Sequence, residues 1–159
     1  MAYCYQVFLA NTTVSAAATL CIIRPSAAVG FRVRRIAVSQ NDNETSTQIR
    51  LQYGRKASAF GTYTSATPQK LDEKDAASAF TGATDGSAGT VGVNGTSEGA
   101  GTFTSIEEGF NNLTGFERVF APGEEPTFRA GSAEGFVLRF PAAPGTTAGW
   151  SWTVVYEEI

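Results

Sequence analysis

The hydrophobic pattern is clearest in the last twenty-five residues of the chain, 135–159. Large apolar side chains occupy every second position of two runs separated by a Pro-, Gly- and Thr-rich loop. They are Phe136, Leu138, Phe140, Trp150, Trp152, Val154 and Tyr156. A period of two is that of an extended strand with one buried face. The pattern therefore predicts a C-terminal β-hairpin in the core, in which each of these side chains contributes roughly 1.5–3 kcal/mol when fully buried.

Shorter alternating or β-branched runs predict further strands along the rest of the chain. These runs are 3–10, 20–23, 31–39, 47–53, 57–64, 102–106 and 116–120, with an extended segment at 67–75 and a turn at 107–115. Gly, Pro and Asn end most of the runs, as they do in β-proteins. Eight to ten short strands with little helix predict an all-β fold. We expect a jelly-roll-like antiparallel β-sandwich in which the first and last strands can lie side by side.

Residues 76–101 have a different pattern, with seven glycines and many Ala, Ser and Thr. Only Phe80, Val91 and Val93 are larger apolar residues, too few to form a separate core. The segment is therefore predicted to be an extended loop or arm of a single domain that spans 1–159. It is either an arm that becomes ordered against neighbouring subunits or an ordinary flexible insertion.

Composition agrees with one domain and narrows the possible locations of the protein. A chain of 159 residues that is 42% hydrophobic suits a single core. It has no run of 18 apolar residues, and its N-terminus lacks the basic start and apolar run of a signal peptide. We expect the protein to fold in the cytoplasm of the cell that makes it and not to associate with a membrane.

The residue types that carry most catalysis and metal binding are scarce. The chain contains no histidine, which removes Ser-His-Asp and Cys-His catalysis and His-ligated metals. Its two cysteines, Cys4 and Cys21, are 17 positions apart without a CxxC motif, so we expect buried free thiols. Enzymes built on carboxylates or lysine remain possible. The prediction is a protein that is not an enzyme, with no catalytic, cofactor-binding or metal-binding residues and no cofactor.

Two local motifs could still suggest hydrolysis. Residues 95–99 match G-x-S-x-G, but they lie in the glycine-rich segment of a chain that has no histidine to act as the base. The adjacent acids Glu107 and Glu108, and likewise Glu124 and Glu125, offer the carboxylates of a glycosidase. Neighbours on an extended strand point to opposite sides, so such a site needs acids from different strands. Solvated loop charges are the favoured interpretation.

The two tryptophans have two possible roles. Exposed tryptophans stack on sugars in many β-sandwich modules, whereas buried ones fill a core. Trp150 and Trp152 alternate with Ser151 and Thr153 and share a face with Val154. This alternation favours packing in the core.

Arg32, Arg34 and Arg35 form the strongest basic cluster. On a regular strand Arg32 and Arg34 share a face and Arg35 lies opposite, so they would not form a single stripe. Because the chain is acidic overall, with a net charge of −3, nucleic-acid binding is not expected. An exposed sheet face or a contact between subunits is favoured.

Charge is divided unevenly along the chain. Residues 1–74 hold nine Lys and Arg against four Asp and Glu, and residues 75–159 hold three against eleven, so the halves carry +5 and −8. One interpretation is a molecule with a basic and an acidic face, which would suit docking between proteins. The other is that the charges of the two halves intermingle in the fold.

Four segments carry a resemblance to a known family: 31–38, 67–72, 136–144 and 150–159. In these segments the chain resembles the head decoration, or cement, proteins of tailed bacteriophages. The resemblance implies a jelly-roll protein that binds the outside of a capsid shell, commonly as a trimer, and clamps adjacent capsomers against internal pressure. It implies no functional residues beyond these segments.

The function expected from the sequence is therefore that of a virion structural protein on the capsid exterior. It would stabilise the capsid by bridging capsomers, with the major capsid protein as its partner and a homotrimer as its assembly, and without nucleic acid or membrane. The alternative is a carbohydrate- or receptor-binding β-sandwich module of a phage tail.

Overall fold

The computed structural model describes residues 3–42 and 45–159. Within these residues the chain forms thirteen β-strands and no helix, so the predicted all-β class is confirmed. The strands are β1 (Cys4–Thr12), β2 (Ala18–Ile23), β3 (Phe31–Gln40), β4 (Gln48–Ala57), β5 (Thr62–Ser65), β6 (Gln69–Lys70), β7 (Thr81–Gly82), β8 (Thr90–Ser97), β9 (Thr102–Asn111), β10 (Phe116–Val119), β11 (Thr127–Phe128), β12 (Glu134–Phe140) and β13 (Trp150–Glu158).

The strands form two sheets that pack against each other as an antiparallel β-sandwich, as predicted. Sheet A has the order β10-β3-β13-β1-β6, and β11 also pairs with β3. Sheet B has the order β5-β8-β2-β12-β4-β9, and β7 pairs with β8 in the one parallel contact between described strands. Each sheet buries its inner face against the other.

Strand pairing in the sandwich is nested. The first strand pairs with the last, β1 with β13, and the prediction that these strands lie side by side is confirmed. Moving inward along the chain, β2 pairs with β12, β3 with β10 and β4 with β9, all antiparallel. Successive pairs alternate between sheets A and B, as if one long hairpin had been rolled up. Strands β5 to β8 are inserted between the two innermost strands, β4 and β9.

The predicted C-terminal hairpin is wrong, although its strands and their buried faces are confirmed. Strand β12 pairs with β2 and β4 in sheet B, whereas β13 pairs with β1 and β3 in sheet A. The two strands therefore face each other across the core, and the rings of Phe140 and Trp150 meet with centroids 4.9 Å apart. A period of two identifies the buried face of a strand but not the strand beside it.

Both tryptophans are interior, as the alternation predicted. Trp150 is 0% and Trp152 2% exposed. The indole Nε1–H of Trp150 donates a hydrogen bond to the Thr146 carbonyl oxygen at 2.9 Å, which satisfies the polar end of the side chain. The edge of Phe110 also meets the Trp150 ring, at 6.2 Å between centroids.

The prediction of a loop over 76–101 is wrong for residues 90–97. They form β8, which lies between β5 and β2 in sheet B, with Val91 and Val93 buried in the main core. The glycines of this strand serve packing rather than mobility. A Cβ on Gly92 would lie 2.7 Å from the Cβ of Tyr63, whose ring covers the outer face of the sheet here.

The remainder of the predicted arm is held against the sandwich. Phe80 is buried, and its ring stacks on that of Tyr156 with centroids 5.7 Å apart. The Glu158 carboxylate accepts hydrogen bonds from the Ser78 hydroxyl at 2.5 Å and the Ala79 N–H at 3.0 Å. Residues 76–82 therefore belong to the folded body.

Candidate docking surface

One side of the sandwich is open, where β9 ends sheet B and β10 ends sheet A. The predicted turn at 107–115 is wrong for 107–111, because β9 continues to Asn111 before the chain turns. In the turn, the N–H groups of Thr114 and Gly115 each donate to the Asn111 carbonyl oxygen at 3.1 Å. Since this turn is short, the two end strands lie on the same side of the molecule.

Strand β9 is unusually long for the end of a sheet. The other end strands of the described sheets, β5, β6 and β10, have four, two and four residues, whereas β9 has ten. All ten pair with β4 on one side. On the other side β9 pairs with no strand of residues 3–42 or 45–159. A long end strand leaves a row of backbone donors and acceptors available to another chain.

An open groove lies between β9 and the segment that follows β10. Its volume is about 420 Å³. It is lined by Tyr53, Gly54, Arg55, Thr104, Ser105, Ile106, Arg118, Phe120, Glu124 and Pro126. Ile106 lies opposite the buried Tyr53 in the β4–β9 ladder and so faces the inner side of sheet B, yet it is 54% exposed. Sheet A does not extend far enough to cover it.

Glu108, on the inner side of β9, has partners within its own chain. The Tyr53 hydroxyl donates a hydrogen bond to Glu108 Oε1 at 3.3 Å, and Arg118 Nη1 lies 3.9 Å from the same oxygen. Burial of the phenol, and next the charge of Glu108, raise the pKa of Tyr53. The Arg118 guanidinium also lies 5.8 Å above the centre of the Phe120 ring. Glu108 of β9 is thus held by partners on β4 and β10.

The neighbouring acid, Glu107, points to the outer face of sheet B. Its two oxygens accept from Arg50 Nε at 2.8 Å and Nη2 at 2.9 Å, and Gln52 Nε2 donates at 2.7 Å. These hydrogen bonds, from Arg50 first, lower the pKa of Glu107. Glu107 and Glu108 therefore lie on opposite faces, as predicted for neighbours on a strand.

The two acids of the second adjacent pair, Glu124 and Glu125, also lie in different surroundings. Glu124 lines the groove, whereas Glu125 is buried and ion-paired with Arg34. Of the four glutamates weighed for a glycosidase, three are therefore engaged in ion pairs with arginines. Among the described residues no group of three His, Cys, Asp or Glu is placed to hold a metal ion.

The three arginines of β3 all lie on the outer face of sheet A, so the prediction that Arg35 lies opposite is wrong. The cause is a β-bulge, because Tyr156 pairs with Val33 and Val155 pairs with Arg35. Arg34 is the extra residue of the bulge, which resets the alternation. Ile36 consequently returns to the core.

These arginines are paired with acids from the later half of the chain. Arg34 contacts both Glu125 and Glu157, Arg32 Nε lies 3.6 Å from Glu157, and Arg35 Nε donates to Glu117 at 2.6 Å. Two further arginines of the first half, in β4, pair with Glu107 and Glu134. Of the two interpretations of the uneven charge, the structure thus favours intermingling.

Glu125 is expected to make the stability of the protein depend on pH. The backbone N–H of Glu125 itself, then that of Gly123, and the charge of Arg34 together lower the pKa of Glu125. A lowered pKa means stabilisation that is present at neutral pH and lost as the pH falls below about 4.5, the ordinary value. We expect the thermal unfolding midpoint to fall less steeply between pH 6 and about pH 3 in Glu125→Gln than in the wild type. Equal slopes in the two proteins would contradict this role.

The remaining candidates for chemistry are not exposed at this surface. Both tryptophans lie in the core, and Cys21 is a buried free thiol, whereas Cys4 is free but only half-buried. No helix of the described residues is both long and apolar enough to cross a membrane. Neither a protein-family model nor a curated protein sequence matches the chain.

Sequence reasoning missed β9 as the exposed edge. Its sequence, Thr-Phe-Thr-Ser-Ile-Glu-Glu-Gly-Phe-Asn, lacks the apolar alternation of a core strand, and two adjacent acids suggested a turn. The signal that could have identified it is a run of Thr, Ser, Ile and Phe extending on both sides of those acids, which is compatible with an end strand.

Proposed function

We propose that the protein is a non-catalytic structural protein that decorates the outside of a phage capsid and stabilises it by bridging capsomers. The proposed partner is the major capsid protein, and the proposed location is the virion exterior, after synthesis in the host cytoplasm. The observation that carries the docking role is the ten-residue end strand β9 with its exposed Ile106. The resemblance of four segments to decoration proteins is the reason for proposing the capsid as the surface on which the protein docks.

The nested pairing of strands supports a jelly-roll assignment. A jelly roll consists of two packed sheets built from a rolled-up hairpin of eight strands. The pairs β1–β13, β2–β12, β3–β10 and β4–β9 provide eight strands in that order. This is the fold implied by the resemblance.

The state of the polar residues favours docking over turnover. Glutamates that could serve as acids or bases are held by arginines, such as Glu107 by Arg50 and Glu125 by Arg34. The tryptophans that a sugar-binding module would use for stacking are in the core. The carbohydrate- or receptor-binding alternative would therefore have to rely on other side chains.

Binding sites repeated on the shell would turn individually weak contacts into strong overall binding. On a shell that presents the same site many times, a decoration protein that bridges two or more sites gains affinity through effective concentration. The threefold ring implied by the resemblance would require two different contact surfaces on each copy.

Binding to capsids tests the proposal. Purified protein is titrated onto phage heads that lack it, and the heads are sedimented. We expect binding that saturates at a fixed number of copies per shell and raises the temperature at which the heads release their DNA. The heat-denatured protein serves as a control. Binding that rises without saturation, or that equals the control, would contradict the proposal.

A further inference from the structure

We infer that β9 pairs with β9 of a second copy of this chain, antiparallel, about a twofold axis through Ile106. Two sandwiches would then share one continuous sheet B. The inference concerns the protein in the absence of a shell, where it predicts a dimer rather than the threefold assembly implied by the resemblance. Because the free edge of β9 can pair with only one strand, a shell protein that docks there would have to displace the second copy.

The backbone of β9 provides the first argument. All ten residues pair with β4 on one side, so the backbone of the free edge is already in the extended conformation that a further strand requires. Adding a strand to such an edge costs little conformational entropy, because the accepting strand is formed in advance.

The sequence of β9 suits pairing with itself in this register. With Ile106 at the centre, Ser105 lies opposite Glu107 of the second copy and Thr104 lies opposite its Glu108. Phe103 lies opposite Gly109, so residues on both sides of the axis find a partner. Each acid faces a small hydroxyl residue.

Neighbouring registers are less favourable. A register centred on Glu107 or Glu108 places one acid directly against its own copy, and like charges opposite each other destabilise a sheet. A shift of a single residue turns the second sandwich over and sets Ile106 against Glu107. Registers centred before Ile106 pair fewer residues.

The groove supplies the apolar part of the contact. Ile106 faces the inner side of sheet B, and a twofold axis perpendicular to the sheet keeps both A sheets on the same side. The two Ile106 side chains therefore meet, and the two grooves of about 420 Å³ open towards each other. Burying Ile106, which is 54% exposed, removes apolar surface from water.

The charges near the axis do not prevent the contact. Glu107 is bound by Arg50 and Gln52, and Glu108 by Arg118 and Tyr53, all in the same chain. Each copy thus brings acids whose charge is already compensated. Without these partners, two acids in each edge strand would oppose association.

Sedimentation velocity of the full chain, without capsids, tests the inference. We expect a dimer of about twice 16.8 kDa at micromolar concentration. Ile106→Lys should weaken dimerisation at least tenfold, because two ammonium groups would meet at the axis. The matched control is Val119→Lys, a change at a residue that is 66% exposed on the outer face of sheet A, and it should remain dimeric.

Cysteine cross-linking tests the register even if Ile106→Lys fails to fold. In a Cys4→Ser background, Ile106→Cys should form a disulfide-linked dimer under mild oxidation, since residues directly opposite have Cβ atoms about 4.5–5.5 Å apart. Gly109→Cys should not form this disulfide. In the same register, position 109 of the second copy lies six residues further along its strand, about 20 Å away.

A monomer at all concentrations, or a trimer, would overturn the inference. So would equal cross-linking at positions 106 and 109. A dimer that survives Ile106→Lys would place the contact elsewhere on the molecule. Each of these results leaves saturable binding to capsids as a separate measurement.

Discussion

Trp150→Ala is expected to lower the free energy of unfolding by about 3–5 kcal/mol, the usual cost of removing a buried aromatic side chain. Trp150 is fully buried between Phe140 of β12 and Phe110 of β9, so its loss opens a cavity between the sheets. It also removes the donor to the Thr146 carbonyl, which fixes the loop before β13. Phe140 and Phe110 lie on different strands, so closing the cavity would require both strands to move.

Chemical denaturation measures this effect. The fluorescence of Trp152 remains as a probe, and circular dichroism gives a second, independent transition. The control is Val119→Ala, which should change stability by less than about 0.5 kcal/mol because the side chain is largely exposed. A loss below about 1 kcal/mol for Trp150→Ala would show that this side chain does not fill the core.

Gly54→Ala is expected to cost about 1–3 kcal/mol, as overpacking does in a well-packed site. A Cβ at Gly54 would overlap the carbonyl oxygen of Thr104 and lie 2.8 Å from the Cα of Ser105. Both atoms belong to the backbone of β9, so relief requires β9 to move away from β4. The substitution should therefore weaken the very strand proposed for docking.

The same ladder offers a matched control in Gly109→Ala. Gly109 lies opposite Arg50 on the same two strands, and a Cβ there meets nothing within 4 Å. That variant should be neutral or more stable by up to about 1 kcal/mol, since alanine restricts the unfolded chain. Hydrogen exchange should show faster exchange in β9 for Gly54→Ala only. Equal stability of the two variants would contradict the close approach of β9 to β4.

The sequence predicted the strands and their buried faces well because both depend on local periodicity. The alternation in 136–140 and 150–156 correctly placed Phe136 and Trp152 in the core. Both isolated cysteines are free thiols, as predicted, although only Cys21 is also buried. The β-sandwich followed from the number and shortness of the strands.

Features that depend on contacts between distant segments could not be predicted in this way. Which sheet receives β12 and which receives β13 is decided by partners more than a hundred residues away, such as Ile23 for β12 and Tyr5 for β13. The bulge at Arg34 reverses which residues of β3 face the core, and no Gly or Pro in the strand signals it. The glycines of β8 suggested a loop, whereas in the fold they make room for the ring of Tyr63. That ring belongs to another strand, so the local sequence gives no sign of it.

The candidate site was the least predictable part. An exposed end strand carries a weak hydrophobic signal, since only one of its edges and part of one face are buried. A strand was predicted for 102–106, but the adjacent Glu107 and Glu108 suggested a turn where β9 in fact continues to Asn111. Their partners, Arg50 and Arg118, lie on β4 and β10, and only the fold brings the four side chains together.

A cryo-EM map of phage heads incubated with the protein tests the central claim most directly. We expect density for a two-sheet sandwich at repeated positions on the outer surface of the shell, spanning the junctions between capsomers. Density that is absent from the shell, or that appears only on the tail, would contradict it.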